Sequence, residues 1–144
     1  MGYKITAGGA QASIAIGNDG IGTAEFTGLL LPGNLPAIGV SALGALSQRR
    51  SKGAIYRLDS AVVCSTPPKQ GDYNRLTVPL RGIPVAFVVN AAQVDLYRTM
   101  VRSAASNGLI RAAFRCPQQA QEWVRDQVDL LREHRAWLEA RQAG

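Results

Sequence analysis

The sequence predicts an α/β domain in which helices pack on a mixed central sheet of about five strands, in the order β-β-α-β-β-α-β-α. Three observations carry that expectation. Residues 83–89 (IPVAFVV) are apolar almost throughout, the pattern of a strand buried on both faces of a parallel or mixed sheet. Residues 91–107 and 117–142 place apolar side chains at helical spacing. Glycine, proline and asparagine separate these stretches from further β-branched segments, so strands and helices alternate along the chain.

A hairpin comes first. Residues 12–17 (ASIAIG) alternate small or polar with apolar side chains, Asn18-Asp19-Gly20 turns the chain, and residues 21–31 run extended again. Gly33-Asn34-Leu35-Pro36 then breaks the strand and puts Pro36 in the first turn of a helix, where its missing N–H costs nothing. That helix reaches about Arg50 and presents Ala37, Ile38, Leu43, Ala45 and Leu46 on one face. Gly39 and Gly44 each lower its intrinsic stability by about 1 kcal/mol relative to alanine, so packing must hold it. Residues 53–64 (GAIYRLDSAVVC) read as one strand, rich in β-branched and aromatic side chains. Residues 66–82 hold Pro67, Pro68, Gly71, Pro79 and Gly82, which predicts an irregular loop with at most a short edge strand near 76–80. A loop of that length in a small domain is commonly functional or mobile.

After the 83–89 strand, Asn90 is placed to cap a helix and Gly108 to close it in the left-handed conformation. Val94, Tyr97, Met100, Val101 and Ala104 make its buried stripe, leaving Arg98 and Arg102 exposed. Residues 109–114 form a short strand. Pro117 opens the last helix, with Cys116 where a stronger cap is usual. Ala120, Val124, Val128, Leu131 and Leu138 line one face of it, and Trp123, Leu130 and Trp137 recur beside them at intervals of seven. Running to Gln142, this helix spans roughly 39 Å, more than one side of a small sheet needs. Residues 133–144 are therefore a candidate interaction tail, with Trp137 and Leu138 as its interface residues and a symmetric homodimer as the expected pairing.

At 144 residues and 47% hydrophobic, the chain is expected to form one domain over residues 1–144. A domain of that size buries roughly 68–70% of the surface its unfolded chain exposes and needs no metal or disulfide framework. The formal charge is +6, but residues 115–144 hold five arginines and five acids, so the last helix is neutral. The eleven basic residues before it face five acidic ones and are scattered, which argues against nucleic acid as a partner. Only Arg49, Arg50 and Lys52 cluster, at a helix end. They are a candidate anion-binding group, or they complement the helix dipole. Residues 1–10 carry one lysine and no apolar core of signal-peptide length. No apolar run approaches the ~20 residues that cross a bilayer. A cytoplasmic protein without an integral membrane segment is expected.

No catalytic residues, metal or cofactor are expected. His134 is the only histidine and stands far along the chain from any nucleophile. Cys64 and Cys116 share no C-x-x-C spacing and read as small core residues. The pieces Gly8-Gly9 and Gly17-Asn18-Asp19-Gly20-Ile21-Gly22 lack the spacing and the Lys-Ser/Thr of a phosphate loop and read as turns.

Residues 84–124, PVAFVVNAAQVDLYRTMVRSAASNGLIRAAFRCPQQAQEWV, resemble the second half of SpoIIAA-like (STAS-like) domains. The shared order is a buried strand, a helix ending at Asn-Gly, a short strand ending in Phe-Arg, then Pro, Ala and Trp. Residues 54–63, with Leu58-Asp59-Ser60, resemble that family's central strand. The resemblance implies a non-enzymatic regulatory or protein-interaction module of the anti-sigma factor antagonist type, with a protein partner. The family's phosphorylated Asp-Ser-x-Gly after the central strand is missing here; Ser65 and Thr66 are the positional candidates for phosphorylation, or else they end the strand by capping backbone groups. The alternative function is a sensor or carrier of a small anionic or lipid-like ligand held between helix and sheet.

Overall fold

Gly8-Gly9 is a two-residue turn, with Gly8 at φ 60°, and it joins two antiparallel strands, β1 (Tyr3–Ala7) and β2 (Ala10–Ile16). The computed structural model describes residues 3–30, 35–63, 80, 82–106 and 108–143. The expectations for the side chain of Ala37, for Cys64, Ser65 and Thr66, and for most of the 66–82 loop fall outside that set. The chain continues through β3 (Ile21–Leu30), α1 (Leu35–Gln48), β4 (Gly53–Arg57), β5 (Ala61–Val63), β6 (Val85–Val88), α2 (Val94–Ser106), β7 (Arg111–Phe114) and α3 (Pro117–Ala143). One mixed sheet takes the order β1-β2-β3-β4-β6-β7, with β5 beside β3. From β3 onward every pairing is parallel.

The α/β class with a mixed sheet is as expected; the strand count of about five is not, because the described residues alone form a sheet of seven. One addition is β1, a short alternating segment (YKITA) whose pairing depends on the Gly8-Gly9 turn. The other comes from division of the single strand expected over residues 53–64. Glu25 of β3 lies opposite Arg57, whereas Gly28 lies opposite Ala61. Four residues on one strand thus span three on the other, a one-residue bulge at Leu58-Asp59-Ser60. Arg57 and Asp59 pair across it at 3.0 Å, and the Ala61 N–H returns to the Leu58 carbonyl at 3.2 Å.

The helices cover both faces of the sheet. On one face α1 and α2 bury Ile38, Leu46, Tyr97 and Met100 against Ile14, Phe26, Tyr56 and Phe87. Phe26, Tyr56, Phe87 and Tyr97 form a chain of rings with successive centroids 5.7, 5.7 and 5.5 Å apart, in tilted and edge-on arrangements that suit the ring quadrupoles. On the other face α3 lays Ala120 and Val124 over Ile21, Ile55, Ala86 and Val88, and Trp123 meets Phe114 at 5.8 Å. All four residues of β6 are buried, as a strand flanked by β4 and β7 and covered on both faces requires.

Local signals set the helix ends. The Asn90 side chain accepts the N–H groups of Ala92 and Gln93 at 3.0 and 3.1 Å, and Gln93 Oε1 accepts the Asn90 N–H at 3.0 Å, a reciprocal cap before α2. Gly108, at φ 74°, closes that helix. Ala120 N–H donates to the Cys116 carbonyl at 3.2 Å, so α3 starts around Pro117 as its sequence predicts.

Candidate functional site

The four-residue turn between β2 and β3 is built by Asp19, whose Oδ1 accepts the Ile21 N–H at 3.1 Å, and by Gly20 at φ 80°. The Lys52 N–H donates to the Gly20 carbonyl at 2.8 Å, which fastens this turn to the one between α1 and β4. The Lys52 stem lies over Gly20, so its ammonium is carried along the rim. Both turns stand at the ends where β3 and β4 begin. The middle of α3 passes the same place, and Arg125 Nε approaches Asp19 Oδ2 at 3.4 Å.

Together with Gly82 and Ile83, which lead into β6, these pieces enclose a groove of about 780 Å³. Its apolar surface comes from Ile21, Ile83, Val128 and Leu131, and its cations are Lys52, Arg125, Arg132 and Arg135. Two acids, Asp19 from the turn and Asp129 from α3, also line it; Asp129 pairs with Arg132 at 3.0 Å. The Ser51 hydroxyl faces the other way and donates to the Leu46 carbonyl at 3.0 Å.

Of the basic cluster expected at the helix end, Lys52 alone lines the groove. Arg50 is drawn into the end of α1, where it adopts φ 54° and gives its N–H to the Ser47 carbonyl at 3.1 Å. Arg125, Arg132 and Arg135 were legible only as members of a neutral helix. Their spacing with Val128 puts them on one face, but that face becomes a groove wall only once the sheet has claimed Ala120 and Val124.

Trp137 and Leu138 lie where the tail reading puts them, on the far part of α3. Residues 132–143 are all exposed, with Trp137 at 51% and Leu138 at 42%. His134 stacks on Trp137 with centroids 5.9 Å apart, and the Arg141 guanidinium sits 4.9 Å over the same ring. Both contacts lie within one helix and hold the indole against its surface.

Sequence reading missed a buried polar pair on the α1/α2 face. Arg111 is 7% exposed, and it donates to the carbonyls of Ile83 and Ile110 at 2.8 and 2.9 Å and of Leu80 at 3.2 Å. Burial lowers its guanidinium to about 10, with the nearby Tyr56 hydroxyl acting in the opposite sense. Burial drives the Tyr56 hydroxyl above its ordinary range, and it has no hydrogen-bond partner among the described residues.

Among the described residues no group of three or more His, Cys, Asp or Glu side chains could hold a metal ion. No helix among them is long and apolar enough to cross a membrane. Comparison of the chain with protein-family models and with curated proteins gave no match.

Proposed function

We propose that this protein is a non-enzymatic regulatory module that works through protein contacts, and that the projecting end of α3 is the contact, pairing with a second copy of the chain. The observation that carries the reading is Trp137, half exposed on a helix segment, residues 132–143, that is exposed throughout and buries no apolar side chain against the other described residues. A tryptophan so placed is a typical interface anchor. The resemblance of residues 84–124 to STAS-like domains supports the regulatory part of the reading.

The charge pattern favours a second copy as the occupant. Glu133 and Arg141 stand four residues either side of Trp137, on its face of the helix. An antiparallel pairing with its twofold axis through Trp137 sets each Glu133 opposite the partner's Arg141 and brings no like charges together. Twelve exposed residues make roughly 18 Å of helix, a small interface, so the dimer is concentration-dependent and weakens in salt.

Sedimentation of the full chain tests this. A dimer that Trp137→Glu converts to a folded monomer is expected. Glu133→Arg alone should weaken it, and Glu133→Arg with Arg141→Glu should restore it. A chain that stays monomeric at every concentration, or a dimer indifferent to Trp137→Glu, overturns the proposal.

A further inference from the structure

We propose that the groove between α3 and the starts of β3, β4 and β6 is a binding site for a phosphomonoester with an apolar body. The inference stands apart from the pairing of the α3 ends: Arg132 and Arg135 belong to the same helix segment, but Glu133, Trp137 and Arg141, which carry the pairing, do not line the groove. Four cations line the groove against two carboxylates, a net charge of two that matches a dianionic phosphate. Lys52 and Arg135 form no ion pair among the described residues. Arg125 meets Asp19 through Nε alone and Arg132 meets Asp129 through Nη2 alone, so both guanidinium groups keep N–H donors for a further acceptor. Forked donors of this kind suit phosphate oxygens.

Charge alone would describe any basic surface; the groove adds shape and an apolar lining. Its volume, about 780 Å³, lies within the range of small-molecule clefts. Ile21, Ile83, Val128 and Leu131 offer apolar surface beside the cations, which a bare inorganic anion would leave in water. The rim is also held in place: the Lys52–Gly20 backbone bond and the Asp19 turn fix one side, and the seating of Val124 on the sheet fixes the other.

Calorimetric titration of the full chain with inorganic phosphate, phenyl phosphate and dodecyl phosphate tests the site, with backbone amide shifts followed by NMR. At least one organic phosphate is expected to bind about tenfold or more tightly than inorganic phosphate. The shifts should gather at Ser51, Lys52 and Ile83. Preference for phenyl over dodecyl phosphate points to a compact metabolite, and the reverse to a lipid phosphate. Lys52→Ala and Arg135→Ala, both at exposed positions, should each weaken binding about tenfold while the chain stays folded. Equal affinity for all three probes, shifts elsewhere, or variants that bind like the native chain overturn the proposal. Repeating the titration on Trp137→Glu separates the two ideas: the groove binds with or without pairing of the α3 ends.

Discussion

Arg111 Nη1 donates to the carbonyl oxygen of Ile83 at 2.8 Å, and this bond ties the edge strand β7 to the segment that leads into β6. The same guanidinium reaches the Leu80 carbonyl at 3.2 Å, and Leu80 is itself fully buried. A charged group was thus taken out of water to satisfy backbone acceptors that the fold had buried. Its burial is tolerable only while those bonds persist.

Arg111→Met is accordingly expected to lower stability by about 3 kcal/mol, because the Ile83 carbonyl loses its Arg111 donor and the Leu80 carbonyl is left with the Ile83 N–H at 3.1 Å. Urea unfolding should show a lower midpoint with an unchanged slope. Arg111→Lys should recover only part of the loss, since an ammonium lacks the reach and fork of a guanidinium. An unshifted midpoint in Arg111→Met would show that the bonds contribute nothing net.

The Tyr56 hydroxyl, buried beside that charge without a hydrogen-bond partner among the described residues, gives a prediction of opposite sign. Tyr56→Phe keeps the ring contacts to Phe26 and Phe87 and removes the orphaned group, so stability should rise by about 1 kcal/mol at neutral pH. The pH dependence follows from the raised hydroxyl. A phenol that ionises later in the folded than in the unfolded chain contributes stability fully present below pH about 10 and lost as the pH rises above it. Arg111, lowered to about 10, acts the other way in that window, because there the unfolded chain binds more protons. The advantage of Tyr56→Phe over the native chain should therefore widen above pH about 10, measured by urea unfolding across the alkaline range. An advantage that narrows there would contradict the assignment.

Two helix ends use the same pair of backbone bonds with different residues. After α1, Ser51 N–H reaches the Leu46 carbonyl at 3.2 Å and Arg50 N–H the Ser47 carbonyl at 3.1 Å. After α2, Leu109 N–H reaches Ala104 at 3.0 Å and Gly108 N–H reaches Ala105 at 3.1 Å. The left-handed position is Gly108 in one and Arg50 in the other. Arg50→Gly should stabilise the protein by about 1 kcal/mol, and Gly108→Ala should destabilise it by a similar amount. Thermal melts of both variants, moving in opposite directions, would check this.

What could be read in the sequence was what neighbours along the chain decide. Asn90, Gly108 and Pro117 act on their own turns, and the apolar run before Asn90 is buried whichever way the sheet is ordered. The bulge at Asp59-Ser60 was hidden because β3, not the segment itself, holds β4 and β5 in different registers. Arg111 looked like an ordinary strand residue because its acceptors, Leu80 and Ile83, lie about thirty positions earlier. The groove was hidden for a related reason: its cations come from a turn and a helix that meet only when α3 crosses the sheet.

That crossing depends on Gly53, which the sequence shows only as a strand boundary. A β-carbon there would come within 2.5 Å of Val124 Cγ1 and 3.1 Å of Val128 Cγ2, so α3 sits on bare backbone at the start of β4. Gly53→Ala should force the helix outward and cost about 2 kcal/mol, as overpacking of a close contact does. If steric pressure is the cause, Val124→Ala should relieve it: the double variant would lose less stability than the two single losses together. Strictly additive losses in that cycle would place the cost of Gly53→Ala in the strand backbone. The seat of α3, and with it the groove wall, would then owe nothing to the missing side chain.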